Sequence, residues 1–438
     1  MIHWIPMTKQ HGRAWWTNAA IYELYVDKFA GNFRGLTAKL GYLTRLGINT
    51  IHILPHYPSP MVDGGYDISD FQEVRTDLGT LNDFCECVDA AHRHGIRVIT
   101  DLVLNHVSSV HPWFIEARAS KKNAKRDFFV WSDTGSEVKE APNMFPDIKT
   151  SNWIWNEPTG DYYYATFYPE QPDLNWNNPL VLENMLACVD FWVDRGVDGF
   201  RLDAVPHLVE RDKTASVNLP ETHQIVKIIR RHLDDRYGGG IALLAEVGAD
   251  AEEAKTYFGN GDECQLVYHF ELMRRMFVAL MRREYRLPDN VLQGLRDIPA
   301  NCRWVIFLRN HDEINLTTLP DHERSELLDF LDSEHRYPFN EGRATSVRLG
   351  TVFVHRPERL IEAFRLLHSL PGVPVIYYGD EIGMQNLPVK EGTRDSRVYV
   401  RGNFDWDTAE SMMTDPSSLL NTIANIIRDR RMVRAMGA

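Results

Sequence analysis

Residues 36–54, LTAKLGYLTRLGINTIHIL, contain one complete helix–strand unit and indicate how the chain folds. Leucines recur at helical spacing from Leu36 to Leu46, and Gly47 follows where a left-handed residue commonly ends a helix. Thr50–Leu54 is then largely apolar and β-branched, as expected of a parallel strand that is buried on both faces. Helix, glycine and strand in this order form the repeating unit of α/β proteins.

The same unit recurs along the chain, with further helices that end at Gly95 and Gly196. Eight such units predict a closed (β/α)8 barrel, also called a TIM barrel. An open doubly wound sheet is the alternative, but the glycine-rich phosphate loop that normally follows its first strand is missing from this sequence. The predicted strands are Ile21–Val26, Thr50–Leu54, Val98–Leu104, Gly199–Asp203, Ala242–Val247, Gln265–Phe270, Val305–Arg309 and Val373–Tyr378.

Charge and composition limit the classes of function. A chain of 438 residues that is 44% hydrophobic can bury a large core. Its net charge of -13 gives no electrostatic footprint for nucleic acid and repels anionic lipid surfaces. No apolar run approaches the ~18 residues of a membrane span. We therefore predict neither nucleic-acid nor membrane partners.

The first residues and the cysteines predict a cytoplasmic protein. Met1–Trp16 has no continuous apolar segment of the kind that secretory signals carry. The cysteines are scattered and odd in number, so they are expected to remain reduced thiols. They are Cys85, Cys87, Cys188, Cys264 and Cys302.

The uneven spacing of the predicted strands indicates an inserted subdomain. About ninety residues separate the third strand from the fourth, and loops that long inside a compact domain are usually functional. The insert, residues 107–177, is rich in aromatic side chains and leaves the barrel at its active-site face. The barrel is then assigned to residues 1–106 and 178–406. Residues 407–438 form a C-terminal helical segment with an amphipathic helix at Leu419–Arg434.

Charged side chains interrupt the buried strands near their C-terminal ends. Because those ends meet at one rim of a barrel, Asp203, Glu246 and Asp312 are predicted to surround a single point. Arg201 lies two residues before Asp203, on the same side of the strand, and can hold that aspartate ionised. Structural ion pairs balance charge, whereas this cluster has excess carboxylate. Two carboxyls that flank one bond are what glycoside hydrolysis requires.

Four short motifs follow one another along the chain: Asp101–His106 (DLVLNH), Gly199–His207 (GFRLDAVPH), Leu243–Val247 (LLAEV) and Phe307–Glu313 (FLRNHDE). Two further stretches belong with them, Asp63–Phe71 (DGGYDISDF) and Gln171–Asn175 (QPDLN). In this order they resemble the α-amylase family of glycoside hydrolases (family 13), and within it most closely the trehalose synthases and α-glucosidases. The resemblance runs from about Ala20 to Trp406, nearly the whole chain.

The resemblance implies a retaining mechanism on small α-linked glucosides. Asp203 would attack the anomeric carbon to form a β-glucosyl-enzyme, Glu246 would act as acid and then as base, and Asp312 would bind the 2- and 3-hydroxyls. This outcome requires the carboxyls of Asp203 and Glu246 to lie about 5–5.5 Å apart. The substrate-binding residues that the resemblance implies are Asp63, Tyr66, His106, Arg201, His311 and Arg401.

Several of these sugar contacts have expected forms. The resemblance implies that Tyr66 is a stacking platform and that Asp63 grips the far end of the sugar, as in exo-acting members. His106 and His311 would donate to sugar hydroxyls. The remaining histidines are expected to be structural; these include His52, His56, His92, His94 and His111.

The resemblance also implies a structural calcium site. Its ligands would be Asn105, Asp173 and Glu210, with the main-chain oxygens of His207 and Leu208. Hard oxygen ligands of this kind suit Ca²⁺. The alternative is a hydrogen-bonded anchor for the insert without a metal. The chemistry itself requires no metal.

The sequence departs from the family pattern after the eighth strand. Where relatives usually carry Arg-Thr-Pro-Met-Gln-Trp, this chain has RGNFDW at Arg401–Trp406 and keeps only the arginine and the tryptophan. Arg394 and Arg397 lie nearby and could line the acceptor side. The family's C-terminal β-sandwich has no counterpart before Ala438. An exposed apolar face on Leu419–Met432 is therefore expected, and it could pair with another subunit.

Two classes of function stay open at this point. The first is an enzyme that hydrolyses short maltooligosaccharides or transfers glucose between sugars, as in maltose–trehalose interconversion. The second is a catalytically inactive barrel that serves as a sugar-binding or partner subunit. Inactive relatives usually lose one or more of the three carboxylates, and this chain retains all of them.

Overall fold

A closed barrel of eight parallel strands forms the centre of the computed structural model, which describes residues 14–287 and 289–435. Each strand pairs with the strands before and after it in the chain, and the first closes on the last. The predicted (β/α)8 fold is confirmed, and all eight strand candidates are barrel strands. In chain order they are β1 (Ile21–Leu24), β2 (Thr50–Ile53), β3 (Arg97–Val103), β4 (Gly199–Asp203), β5 (Ala242–Ala245), β6 (Leu266–Tyr268), β7 (Arg303–Ile306) and β8 (Val373–Tyr377).

At two points of this barrel the backbone geometry requires a glycine. Gly47 takes a φ of 101°, which ends the preceding helix in the left-handed conformation and confirms the predicted cap. Gly199 opens β4 so close to β5 that an added Cβ would lie 2.7 Å from the carbonyl oxygen of Ala242. A side chain there would push the two strands apart.

Helices surround the barrel and shield the outer faces of the strands. Those that alternate with strands bury one apolar face each, as Leu36, Leu40 and Leu43 do in Phe33–Leu46. The α-helices are Val26–Ala30, Phe33–Leu46, Leu81–Arg93, Pro112–Ala119, Pro179–Val193, Pro220–Tyr237, Ala251–Lys255, Phe270–Arg282, Asp289–Gly294, Asp321–Leu331, Leu349–Val352, Pro357–Ser369, Trp406–Thr414 and Leu419–Ala435.

Two long excursions leave the C-terminal ends of barrel strands. The first follows β3 and contains an antiparallel sheet of Trp131–Ser132, Asp161–Tyr164 and Trp153–Asn156. A backbone bridge between His106 and Asp173 ties its far end back to β3. The second follows β7 and contains a small antiparallel sheet; its strands are Ile314–Asn315, Ala344–Thr345 and Pro338–Phe339.

A small apolar cluster joins the two excursions. Phe145 and Tyr168 from the first pack against Phe339 and Ala344 from the second, separately from the main core. We call these four residues the roof cluster. Its position means that the two excursions support each other beside the mouth of the barrel.

The C-terminal helix Leu419–Ala435 lies against its own barrel. Its apolar residues Leu420, Ile423, Ala424 and Ile427 are buried, and the helix contacts Phe33–Leu46 and Pro357–Ser369. The prediction of an exposed apolar face on this helix is therefore wrong, because the chain's own helices cover that face. Among the described residues, no helix combines the length and the apolar character that crossing a membrane would need.

Candidate active site

The three carboxylates that the strand ends predict line one cavity at the C-terminal end of the barrel. Asp203 ends β4, Glu246 follows β5, and Asp312 lies beyond β7. The cavity has a volume of about 850 Å³ including its open mouth. This volume is in the range of pockets that bind small molecules.

One arginine holds two of the carboxylates. Nη1 of Arg201 lies 2.6 Å from Oδ1 of Asp203, and its Nη2 lies 2.5 Å from Oε1 of Glu246. The amide of Ala204, next to Asp203, also donates to Oε2 of Glu246 over 3.2 Å. Both carboxyls thus contact one guanidinium, as the close pairing of carboxyls in retaining enzymes requires.

The cluster around Arg201 contains more acid than base. Burial raises the pKa of Asp203 well above its usual value, and the charges of Glu246, Asp101 and Asp312 add to the effect, although Arg201 opposes it. The sequence argument expected Arg201 to keep Asp203 ionised. Arg201 is instead shared with Asp101 and Glu246, so its single charge does not neutralise all three. The arrangement therefore favours one proton shared within the Asp203–Glu246 cluster, which acid catalysis needs.

Asp312 has the opposite electrostatic environment. Its Oδ1 lies 3.0 Å from Arg401 and 3.2 Å from Arg397, and its Oδ2 lies 2.9 Å from Nε2 of His311. Burial alone would raise its pKa, but these three cations hold the pKa of Asp312 well below the usual range. Asp312 is thus an ionised acceptor for hydroxyl groups across the physiological pH range.

Asp63 and Tyr66, two of the predicted sugar-binding residues, line the same cavity. Oδ1 of Asp63 lies 2.8 Å from Nη2 of Arg397, and its Oδ2 accepts from Gln171 over 3.2 Å. The hydroxyl of Tyr66 lies 2.7 Å from Nε2 of His311 and accepts from Arg201 over 3.1 Å. Both side chains are held by protein contacts before any ligand arrives.

His106 also lines the cavity and has a free ring nitrogen. The side-chain amide of Asn105 lies 3.4 Å from Nδ1, and Nε2 is buried without a hydrogen-bond partner. Burial lowers the pKa of His106 to about 3, so the ring is neutral. The geometry thus leaves Nε2 of His106 available for the predicted contact to a sugar hydroxyl.

His311 and Arg401, two of the predicted substrate-binding residues, both contact Asp312. Both nitrogens of His311 contact protein groups, with Nδ1 2.9 Å from Glu23 and Nε2 2.9 Å from Asp312. Arg401 contacts Asp312 and donates from Nε to the carbonyl of His311 over 3.2 Å. Neither residue lines the cavity, and both contact Asp312, which does.

Other cavity residues were not among the predicted site residues. Glu313 lines the wall beside Asp312, and burial raises its pKa to about 7. Its position directly after Asp312 in the FLRNHDE motif was a usable signal. Arg397 was a candidate only for the acceptor side, yet it lies between Asp63 and Asp312. The apolar wall comes from distant segments that no local pattern connects; it consists of Met144, Phe145, Phe167 and Phe270.

The residues of the predicted calcium set lie between β3, the insert and the turn after β4. Asp173 accepts hydrogen bonds from the backbone and hydroxyl of Thr166, and burial raises its pKa to about 6. Burial and Asp173 also raise the pKa of Glu210 well above its usual value. Both shifts indicate that the negative charge here is incompletely neutralised by protein groups. His207 and Leu208 lie in the turn that leads from β4 to Glu210.

Two oxygens of this set test whether it fits a cation. Oδ1 of Asn105 and Oε1 of Glu210 are buried without a hydrogen-bond partner. Unpaired buried oxygens are costly unless a cation or water satisfies them, so these residues fit a hard ion such as Ca²⁺. Within residues 14–287 and 289–435, no group of three or more His, Cys, Asp and Glu side chains could hold a metal. The predicted calcium set is of a different kind, because amide and main-chain carbonyl oxygens make up most of it.

A (β/α)8 barrel with paired carboxyls at the C-terminal rim defines the class of protein, that of the retaining glycoside hydrolases and transglucosylases. Sequence comparison then identifies the family. Residues 10–332 match the family described as "Alpha amylase, catalytic domain". This chain belongs to the α-amylase family.

Relatives within the family include trehalose synthases and glucosidases. The trehalose synthase/amylase TreS of Mycolicibacterium smegmatis is 44% identical over 90% of this chain and 67% of the relative. The oligo-1,6-glucosidase of Parageobacillus thermoglucosidasius is 32% identical over 94% of this chain and 73% of the relative. The chain thus spans about two thirds to three quarters of these proteins. The isomaltulose synthase of Klebsiella sp. LX3 has the same fold, with a TM-score of 0.76 at 24% identity over 97% of this chain and 85% of that one.

Proposed function

We propose that this chain cleaves the α-glucosidic bond of maltose or a short α-glucan through a covalent β-glucosyl-enzyme. The main support for the proposal is that Arg201 forms salt bridges with both Asp203 and Glu246, while Asp312 lines the same cavity. A nucleophile and an acid held side by side, next to a permanently ionised carboxylate, are what a retaining mechanism needs. The relatives named as trehalose synthase and oligo-1,6-glucosidase support the substrate class.

The first chemical step uses the two carboxyls that Arg201 holds. With the proton of the cluster on Glu246, the carboxylate of Asp203 attacks the anomeric carbon as the bond to the leaving oxygen breaks. Glu246 gives its proton to that oxygen, and the electron pair of the broken bond stays on the leaving sugar. The one proton that the crowded cluster retains is therefore consumed in forming the glucosyl-enzyme.

The second step reverses these roles. Glu246, now ionised, takes a proton from the incoming hydroxyl, whose oxygen attacks the anomeric carbon and displaces Asp203. Asp312 accepts from ring hydroxyls throughout, and His106 donates from its unused Nε2. Hydrogen bonds of this kind strengthen as the ring distorts and develops positive charge.

The incoming hydroxyl is proposed to belong to the released glucose, which would interconvert maltose and trehalose. The apolar wall of Phe145, Phe167 and Phe270 supports this choice because it limits the water near the glucosyl-enzyme. Hydrolysis is the competing outcome when water reaches the anomeric carbon first.

Product analysis after incubation with maltose tests the proposal. Trehalose formation is expected, with some glucose; glucose alone would indicate a hydrolase, and longer sugars a glucanotransferase. Asp203→Asn should lower turnover by several orders of magnitude while circular dichroism shows an intact fold. Failure of the wild type to convert any α-glucoside would favour the inactive sugar-binding barrel. Retained activity in Asp203→Asn would remove Asp203 as the nucleophile.

We further propose that Ca²⁺ binds Asn105, Asp173 and Glu210 together with carbonyls of the turn that contains His207 and Leu208. The two unpaired buried oxygens and the raised pKa values of both carboxyls support this site. When bound, the ion would supply positive charge that fastens the insert to the barrel. It takes no part in the bond-breaking steps.

A cytoplasmic location is also proposed. All five cysteines lie among the described residues, and each is a free thiol. Free thiols support a reducing compartment. Measuring thiol content in protein purified without reductant would test the point, since disulfides formed in the native protein would contradict it.

A further inference from the structure

Two buried ionisable residues beneath the cavity take no part in the proposed mechanism. Glu23 lies in β1 and His52 lies beside it in β2, where the two strands pair in register. Both side chains are fully buried. A carboxyl and an imidazole in the centre of a barrel need compensating partners, because an isolated buried charge is very costly.

One end of this pair reaches Asp312. Oε1 of Glu23 lies 2.9 Å from Nδ1 of His311 and accepts from the His311 amide over 2.8 Å. The opposite nitrogen of the same ring lies 2.9 Å from Asp312. Tyr268 donates to the second oxygen of Glu23 over 3.1 Å. Glu23 thereby fixes the ring that in turn orients Asp312.

The other end of the pair reaches Asp203. Nδ1 of His52 lies 3.4 Å from Oε2 of Glu23, and Nε2 of His52 lies 3.0 Å from Oδ2 of Asp101. Asp101 contacts Nη1 of Arg201, and the same nitrogen lies 2.6 Å from Asp203. The hydroxyl of Tyr57 donates to the carbonyl of Asp101 over 2.6 Å.

These contacts form one continuous chain of alternating charge through the barrel. We call it the buried charge chain. Because each internal member has an opposite charge on both sides, both histidines are stabilised as cations. Burial opposes protonation, but Asp312 and Glu23 raise the pKa of His311 to about 9, and Asp101 and Glu23 raise the pKa of His52. In order, the members are Asp312, His311, Glu23, His52, Asp101, Arg201 and Asp203.

We infer that Glu23 and His52 are positioning residues, which connect the Asp312 side of the cavity to the Asp203 side and hold the two carboxylates in a fixed relation. This inference rests on the proposed function, which makes Asp203 and Asp312 the reacting and sugar-binding groups. Removing either link leaves two like charges facing each other in a low-dielectric interior. Each end of the chain is then free to shift, and a displacement of about 1 Å can lower a rate by 10²-fold.

A second histidine–aspartate pair provides the matched control. Nε2 of His92 lies 2.7 Å from Oδ2 of Asp198, which directly precedes β4. Asp198 also accepts from the amide of Val98, so this pair lies at the N-terminal end of β3 and β4, away from the cavity. His92→Gln removes the same type of contact as His52→Gln without touching the site.

The experiment compares wild type, His52→Gln, Glu23→Gln and His92→Gln with 4-nitrophenyl α-D-glucoside as the probe. At pH 7 the two chain variants should lose up to about 100-fold in kcat with a smaller change in KM, whereas His92→Gln stays near wild type. The His52 cation is present at low pH and is lost as pH rises through its raised pKa. The ratio of wild-type to His52→Gln rates should therefore shrink at alkaline pH.

Two results would overturn the inference. One is a ratio of wild-type to His52→Gln rates that stays constant across pH. The other is a variant that loses thermal stability while kcat is unchanged, because a purely structural role would do that. If His52→Gln fails to fold, Glu23→Gln supplies the same comparison for the Asp312 end.

An NMR titration of His311 tests the buried charge chain independently of any catalytic activity. His52 and His311 contact different oxygens of Glu23, so removing the His52 cation should raise the pKa of His311, and Glu23→Gln should lower it. Unchanged His311 titration in both variants would refute the charge chain. A wild type that cleaves no α-glucoside would contradict the proposed function, while this titration would still test the chain.

Discussion

Arg397 shows how strongly one residue outside the family motifs can shape the site. Its Nη2 lies 2.8 Å from Asp63 and 2.8 Å from Asp395, and its Nη1 lies 3.2 Å from Asp312. It therefore joins two cavity carboxylates that the chain supplies from the loops after β2 and β7. Arg394, three residues earlier, is exposed and has no such position.

Arg397→Met should weaken both substrate binding and turnover. The substitution keeps much of the side-chain volume but leaves Asp63 and Asp395 without their cation, and truncating one member of a buried charge pair costs about 2–5 kcal/mol. We expect kcat/KM for maltose to fall at least about tenfold. Steady-state kinetics checks this, with Arg394→Met as the matched control. An equal loss in both variants would show that general positive charge, not this contact, matters.

Glu313 should make stability depend on pH. Its folded-state pKa of about 7 lies above the ordinary value of 4.5, so ionising it in the folded protein is unfavourable. That cost is absent below pH 4.5, grows as pH rises, and is fully present above pH 7. Glu313→Gln should therefore raise the unfolding free energy at pH 8 relative to pH 5, by about 1–2 kcal/mol after allowance for partial exposure.

Thermal unfolding of wild type and Glu313→Gln at both pH values measures this effect. Glu284→Gln is the control, because Glu284 is exposed and should show no pH-dependent gain. A gain for Glu313→Gln that is equal at pH 5 and pH 8 would contradict the electrostatic explanation.

At the scale of elements, the insert is attached to the barrel by a few buried polar contacts. Leu174 donates its amide to the carbonyl of Asn105 over 2.8 Å, beside the backbone bridge between His106 and Asp173. Lys149 is buried nearby, and its charge lowers the pKa of Asp173 against the effect of burial. The attachment therefore depends on how the charges of Asp173 and Glu210 are neutralised.

Calcium should stabilise this attachment. Adding Ca²⁺ at about 100 times its dissociation constant would contribute about 2.7 kcal/mol, which corresponds to a rise of several degrees in Tm. Excess chelator should remove the gain, and Glu210→Gln should abolish the response. Glu157→Gln, an exposed substitution in the same insert, is the control. If Ca²⁺ changes no Tm, Lys149 alone supplies the neutralising charge and the calcium proposal fails.

At the scale of the whole molecule, the roof cluster links two excursions that are far apart in sequence. Phe339 lies with its ring 5.7 Å from that of Phe145, and the guanidinium of Arg397 lies 5.1 Å from the Phe339 ring. Packing between the two excursions therefore contributes to closing the cavity. Such closure limits how much water reaches the glucosyl-enzyme.

Phe339→Ala should shift the products of maltose from trehalose towards glucose. Removing the ring loosens the contact between the excursions and admits water, so hydrolysis competes better. Chromatography of the products measures the ratio, for which we expect a change of at least about twofold. Phe330→Ala is the control, since Phe330 packs on Phe353 in the same excursion but outside the roof cluster. An unchanged ratio would separate the roof cluster from acceptor choice.

Local patterns were sufficient for the architecture. Apolar runs, glycine ends and helical spacing predicted all eight barrel strands, because parallel strands buried on both faces leave an unmistakable composition. They also predicted that Asp203, Glu246 and Asp312 share one cavity, because strand ends of a closed barrel converge. The observed strand ends differ from the predicted ends by a few residues, because contacts with neighbouring segments, and not propensity, determine where a strand ends.

Long-range packing set what the sequence left open. His52 was expected to be structural, yet the register of β1 and β2 places it between Glu23 and Asp101. The apolar face of Leu419–Met432 was expected to be exposed, yet distant helices cover it.

The sequence by itself determined the barrel, the three carboxylates at its rim and the family. Only the tertiary structure decided that Arg201 is shared among three acids, that Arg397 joins Asp63 to Asp312, and that His311 faces the protein. The physical reason is the separation along the chain over which each effect acts. Burial and periodicity act on each segment separately, whereas the partner of a buried charge is chosen by whichever distant segment the fold brings within a few ångströms.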